Sequence, residues 1–300
     1  MVDDSSSPQT IDAYEEIKKE LDDRFTFHYL PSEISRKSPS VTRNYGVSLA
    51  ESEYVAFCDD DDRWIEKTHL EAAYRFMEQV GSDLFIADMR STADGRTARE
   101  SWYSENFSSI QKNHTVIGIK LYDTDDFSNQ VFLIPEEIRH LFLRGVIIHA
   151  NVIVIKKKFF QDIGGYWDRL AFAEDEDFGI RAFDKANIIL YRDRPVAEID
   201  VGWHPSVARD YLRSQQSILG VSANLHAASV IKNATLRKEL RKGRSWKLLE
   251  VAEQAINRGE YGLGREFASE SLRIHPSRTG ILMLLKSLKI FRNRIPNSLT

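Results

Sequence analysis

Four consecutive carboxylates, Asp59-Asp60-Asp61-Asp62, follow the apolar run Tyr54-Val55-Ala56-Phe57-Cys58 without a spacer. Side chains packed this closely repel one another unless a cation or a ligand's donors share their charge. Oxygen donors of this kind suit a hard divalent metal, which would in turn hold an anionic substrate. A calcium loop is excluded by spacing: counting from Asp59, the sixth position is Trp64 rather than glycine and the twelfth is Leu70. A solvated acidic turn is the plain alternative. A second acid group, Glu174-Asp175-Glu176-Asp177, stands apart from the first. It reads either as carboxylates stabilising the first turn of a helix or as the source of a general base.

The elements that must position these groups follow from the apolar pattern. Five apolar residues without alternation predict a buried parallel strand, and its carboxyl end is where open α/β sheets bind ligands. That burial favours the metal reading over the solvated turn. Before it, helical spacing covers residues 10–22, a strand is expected over Phe25–Leu30, and Thr42 is the expected N-cap of a short helix ending near Ala50. After it, a helix should start near Glu66, with Leu70, Ala73 and Met77 on one face and Gly81 as C-cap. Leu84–Ala87 reads as a short buried strand, residues 90–130 as a flap or insertion, Ile147–Ile155 as a strand region, and 174–185 as a helix. Strands near 187–191 and 195–201 complete a mainly parallel α/β sheet covered by helices.

Composition bounds the function. The chain has 300 residues, a net charge of −4 and one cysteine, Cys58. No global basic field attracts nucleic acid, an intramolecular disulfide is impossible, and no apolar stretch approaches the ~20 residues that span a bilayer. The acidic, polar start MVDDSSSPQT is not a signal peptide. A cytoplasmic protein is expected. The chain turns helical after Trp203-His204-Pro205, which sets domains at 1–204 and 205–300. In the second, Gly259, Glu260, Tyr261, Ala268 and Pro276 fall where a tetratricopeptide-like hairpin places its turn and packing residues, although Gly264 and Ser271 stand where that pattern prefers alanine. The last helix, expected over 281–295, is basic and amphipathic; packing against the hairpin is the favoured use, and contact with a membrane surface is the other.

Three segments, in order, resemble the family-two glycosyltransferases of the GT-A fold. VTRNYGVSLAESEYVAFCDDDDRW is similar to the family's "RNxGxxxAxGEYxxFLDxDDxW" block. Gly164-Gly165-Tyr166 followed by FAEDEDFGIRAF resembles "GGF…EDxDLxxR", and VDDSSS resembles the turn "VDDGSxD". The resemblance implies that Asp3 and Asp4 hold the base and ribose of a nucleotide, that Arg43 lies against the nucleotide, and that Asp59 and Asp61 form an Asp-x-Asp pair. Asp61 would be the direct ligand of Mg²⁺ or Mn²⁺, Asp60 would lie nearer the ribose, Asp175 would be the catalytic base, and His204 would lie near the metal or diphosphate. The implied reaction is inverting, metal-dependent transfer from a nucleotide-diphosphate sugar to an acceptor hydroxyl of a glycan, lipid-linked or protein acceptor in cell-surface polysaccharide synthesis. Its chemistry requires a cation across the diphosphate and a carboxylate to take the acceptor's proton.

The same resemblance places Met1 where the family's second strand is ending, so roughly 30 residues, about one βαβ unit, would be absent from the amino end. A gap or open sheet edge is the expected consequence, with a fragment as the favoured explanation. An impaired transferase acting only as a binding or scaffolding protein is the alternative function. Plainer roles attach to several residues. Arg43 could simply pair with Asp59, Trp64 and Trp203 read as packing residues, and His149 reads as a core histidine. Asp123, Asp125 and Asp126 read as a solvated cluster.

Overall fold

The computed structural model describes residues 1–4, 8–31, 38–121, 131–144, 147–202 and 213–288. Trp203, His204, the Asp123–Asp126 cluster and the end of the last helix lie outside the described residues. The chain forms two compact units, Met1–His204 and Pro205–Thr300.

The first unit is α/β. Strands β1 (Val2–Asp3) and β2 (His28–Tyr29), joined through helix α1 (Pro8–Glu20), pair in parallel as a sheet of their own. Helix α2 (Pro39–Leu49) leads to β3 (Tyr54–Ala56) and the short β4 (Arg63–Trp64). Then come α3 (His69–Val80), β5 (Leu84–Ala93), β6 (Arg96–Arg99), α4 (Ser104–Asn113), β7 (Ile117–Gly118), β8 (Val131–Leu133) and α5 (Arg139–Phe142). A 3₁₀ turn at Ala150–Val152 precedes β9 (Ile153–Lys156), followed by α6 (Lys157–Asp162), α7 (Glu174–Lys185) and β10 (Ile189–Asp200).

The larger sheet has the order β3-β9-β5-β10-β8-β7, with β4 on β10 and β6 on β5. The α/β class stands, but the sheet is mixed rather than mainly parallel. In it, among the described pairings, only β5–β10 runs parallel. The apolar runs predicted parallel strands because both faces are buried. Leu84–Ala87 and Ile189–Tyr191 are indeed buried throughout, and burial does not fix strand direction. Among the described residues β3 is an end strand of the larger sheet, paired with β9, and β1–β2 form a separate sheet, so the segments at 25–30 and 54–58, expected in one sheet, fall in two.

Several boundaries move for local reasons. Helix α2 starts at Pro39 after Ser38, not at Thr42, because proline's fixed φ suits the first helical position. Helix α3 starts at His69 and buries Ala72, Ala73, Phe76 and Met77, leaving Leu70 exposed; Gly81 closes it with φ 68°. Only His28–Tyr29 of the expected strand over 25–30 is paired, and Phe25 is exposed. The two strands expected near 187–201 are one, β10, with register shifts between Arg192 and Ala197.

The second unit contains α8 (Arg213–Val230), α9 (Ala234–Asn257), α10 (Tyr261–Ile274) and α11 (Arg278–Ser287). Gly259, φ 84°, makes the turn between α9 and α10. Gly264 departs from alanine for a steric reason: a Cβ there would lie 2.5 Å from Ile256 Cγ1. Ser271 is fully buried and exchanges hydrogen bonds with the hydroxyl and carbonyl of Ser245.

Candidate active site

The acid loop begins where β3 ends. Strand β9 runs antiparallel beside β3, with Ala56 opposite Val154, so the residues preceding β9 reach the residues following β3. Asn151, fully buried, fastens the loop: its Oδ1 accepts the Asp59 N–H at 2.9 Å, its Nδ2 donates to Asp62 Oδ2, and its carbonyl accepts the Trp64 indole N–H at 2.9 Å. His149 lies beside it, half-buried, with Nδ1 accepting the Asn151 N–H at 3.4 Å. It is not the core histidine expected from sequence, because the chain at 147–152 is loop and 3₁₀ turn rather than strand.

One ligand atom from each of Asp59, Asp62 and His149 lies within 4.8 Å of the others. Two carboxylates and an imidazole form a donor set that suits Mn²⁺ or Mg²⁺. Burial raises the Asp62 carboxyl to about 6, aided by the charges of Asp61 and Asp59 and opposed by His149 and Asn151. Asp61, the ligand expected from the resemblance, is exposed and lies outside this trio; burial and its acid neighbours raise its pKa as well. Asp60 is exposed.

Arg43, on α2, links the acid loop to the second acid group. Its Nη2 bonds both oxygens of Asp59 at 2.9 Å, and its Nη1 bonds Glu174 at 2.9 Å and Asp175 at 3.1 Å. The guanidinium also lies 5.2 Å from the Tyr166 ring centre. Desolvation opposes its charge, but Asp175, Tyr166, Asp59 and Glu174 outweigh that and raise its pKa well above the usual arginine value. Burial raises Glu174, as does the charge of Asp175, against the pull of Arg43. The Asp175 carboxylate also faces the Ala150 N–H at 3.4 Å.

The neighbouring residues hold α7 in place. Asn44 accepts the Tyr166 N–H at 2.9 Å and donates to its carbonyl at 2.8 Å, and a Cβ on Gly165 would lie 2.6 Å from Asn44 Oδ1. Asp177 is fully buried against Arg181 at 2.7 Å, and Arg181 donates to the carbonyls of Ile163 and Gly165. Asp177 therefore fastens the Gly164-Gly165 turn to α7. Asp4 accepts from the Ser38 N–H at 3.1 Å and the Thr42 hydroxyl at 3.3 Å, and Asp3 is buried. The structure thus brings together Arg43, Asp59, Asp175, Asp62 and His149, with Asp3 and Asp4 at the head of α2.

Residues 1–138 match the family model for glycosyl transferase family 2. A curated relative, poly(ribitol-phosphate) beta-N-acetylglucosaminyltransferase TarS of Staphylococcus aureus, is 27% identical over 164 residues, 52% of this chain and 28% of that protein. The matched region is thus just over a quarter of that relative's length. Among solved structures, residues 1–349 of S. aureus TarS in complex with UDP-GlcNAc superpose with a TM-score of 0.60 at 16% identity, covering 96% of this chain and 78% of that one. A mannosyltransferase from Pyrobaculum calidifontis in complex with GDP-Man and Mn²⁺ gives a TM-score of 0.53 at 13% identity, covering 97% and 70%. At these identities the superpositions speak for the fold.

Proposed function

We propose that the chain moves a sugar from a nucleotide-diphosphate donor to a hydroxyl of a cell-surface polysaccharide, with inversion at the anomeric carbon, a reading supported by the match of residues 1–138 to glycosyl transferase family 2. The observation that carries this reading is the arginine bridge: Arg43 binds Asp59 on one side and Asp175 on the other. The reaction needs a cation where the diphosphate leaves and a carboxylate where the acceptor is deprotonated; Asp59, from the candidate metal cluster, and Asp175 stand at the two ends of that bridge. The solved structures of similar fold support a nucleotide-sugar donor, UDP-GlcNAc in one and GDP-Man in the other.

Asp59, Asp62 and His149 are the residues that would hold Mg²⁺ or Mn²⁺, with Asp61 a further ligand from the exposed side of the loop. When bound, such a cation neutralises the leaving diphosphate. Asp3 and Asp4, beside α2, are assigned to the base and ribose, Asp60 to the ribose, and His204 to the diphosphate side. Asp175 takes the acceptor's proton as its oxygen attacks, and no enzyme nucleophile is required for a single displacement. Arg43 holds the Asp175 carboxylate in place through a 3.1 Å hydrogen bond. Glu174, raised by burial, shares that arginine.

The test is a panel of UDP- and GDP-sugars titrated into the chain with and without Mn²⁺, read by calorimetry and by nucleotide release. Metal-dependent binding of a nucleotide sugar, followed by release of the nucleoside diphosphate, is the expected result. Absence of binding across the panel would overturn the reading and favour the alternative of a scaffolding protein.

A further inference from the structure

Tyr166 carries a buried hydroxyl for which packing gives no reason. Its backbone is held by Asn44 at both the N–H and the carbonyl. Its ring stacks on Phe178 of α7 with centres 4.3 Å apart, and meets Phe57 edge-on at 5.8 Å. A phenylalanine ring would make the same contacts, and phenylalanine stands at this place in the block that Gly164-Gly165-Tyr166 resembles. The hydroxyl is shut off from solvent and has no hydrogen-bond partner among the described residues. A buried donor left unpaired is costly, so the oxygen needs a role of its own.

Its surroundings supply one. Phe178 lies one helical turn after Glu174 and Asp175, so a ring stacked on it lies against the face that carries both acids. The Arg43 guanidinium lies 5.2 Å from the centre of the same ring. Burial pushes the phenol well above the usual tyrosine range, and among the charges Asp175 acts on it most, ahead of the opposing Arg43. The buried phenol of Tyr103, on which Asp175 also acts, is already engaged, since it donates to the Ile147 carbonyl at 3.0 Å.

Arg43 cannot keep its present partners once a cation arrives. It bonds both oxygens of Asp59, and Asp59 belongs to the trio that would hold the cation. Cation and guanidinium thus compete for one carboxylate. A positive partner also competes with an incoming proton for a general base, and a neutral donor does so less.

We propose that Tyr166 is the positioning residue of the candidate base: when Arg43 turns away, the Tyr166 hydroxyl donates to Asp175 and holds its carboxylate in place. The term base rests on the transferase reading; the partnership of Tyr166 with Asp175 does not.

The first test is a double-mutant cycle in the full chain, read by urea unfolding. Tyr166→Phe alone should leave the unfolding midpoint unchanged or higher, because the hydroxyl it removes has no partner there. In the Arg43→Gln background the same change should lower the midpoint, because the hydroxyl then bonds Asp175. That loss should vanish when Asp175→Ala is added. Additivity of Tyr166→Phe and Arg43→Gln overturns the proposal, and a loss that persists with Asp175→Ala overturns it in favour of Glu174 as partner. The second test needs only Tyr166→Phe, so it stands whether or not Arg43→Gln folds. Transfer from a nucleotide sugar should show kcat reduced about tenfold with donor KM unchanged, the pattern of a contact made only during reaction. A wild-type kcat in Tyr166→Phe overturns the proposal. A coupled cycle in a chain that transfers no sugar from any donor would count against the transferase reading and leave the Tyr166–Asp175 partnership standing.

Discussion

Arg43 and Asp175 are joined across 132 positions of sequence by a 3.1 Å hydrogen bond, on a guanidinium whose other nitrogen grips Asp59. One buried cation therefore serves both the acid loop and the helix that carries the candidate base. Removing it would leave three carboxylates facing one another with no counter-charge.

Arg43→Gln is therefore expected to cost about 3 kcal/mol of stability, the usual result of breaking a buried ion pair from one side. Urea unfolding checks this. Millimolar Mn²⁺ should recover part of the loss in the variant and less in wild type, because the cation then supplies the charge missing at Asp59. An unchanged unfolding midpoint would mean that the bridge contributes nothing.

The metal trio makes a separable prediction. Asp62→Ala and His149→Ala should each weaken Mn²⁺ binding to the nucleotide-free chain more than tenfold, as read by calorimetry. Asp61→Ala should do so less, since that carboxylate is exposed and outside the cluster. The reverse order would return the primary ligand role to Asp61.

Asp175→Asn should keep donor binding and lower transfer by about 10²–10⁴, the usual contribution of a positioned general base. Glu174→Gln should have the smaller effect. Equal single-turnover rates for Asp175→Asn and wild type would rule Asp175 out as the base.

His69 supplies a pH prediction away from the chemistry. Its ring is buried between Trp64 and Phe85, neither nitrogen has a hydrogen-bond partner among the described residues, and burial, then the charge of Arg192, lower its pKa to about 4. The unfolded chain takes up this proton near 6.5, so the contribution is complete above that pH and is lost as pH falls toward 4. The span corresponds to roughly 3 kcal/mol. His69→Phe should flatten the fall of stability between pH 6.5 and 4 in urea titrations.

Much of this was readable from sequence where local chemistry decides. The helix at Glu174–Lys185, the Gly81 cap, and the placing of the acids at the end of β3 depend on neighbours in the chain. Asn151 and His149 were missed because they depend on strand direction. A parallel strand at 153–156 would have put its leading residues at the opposite edge of the sheet, whereas the antiparallel β9 delivers them to the acid loop. A polar pair just ahead of an apolar run was the available signal, and only the pairing could interpret it. The role of Asp177 was hidden in the same way, since Arg181 and the Gly164-Gly165 turn meet it only in the folded chain.

The Trp64 indole, hydrogen-bonded to the Asn151 carbonyl and edge-on to His69, acts as an optical gauge wired to the acid loop. Asn151 touches both Asp59 and Asp62, so any occupant that shifts those carboxylates alters the polarity and hydrogen bonding felt by the excited indole. Arrival and departure of cation or nucleotide can then be timed by stopped-flow emission without a label, and Trp64→Phe assigns the signal.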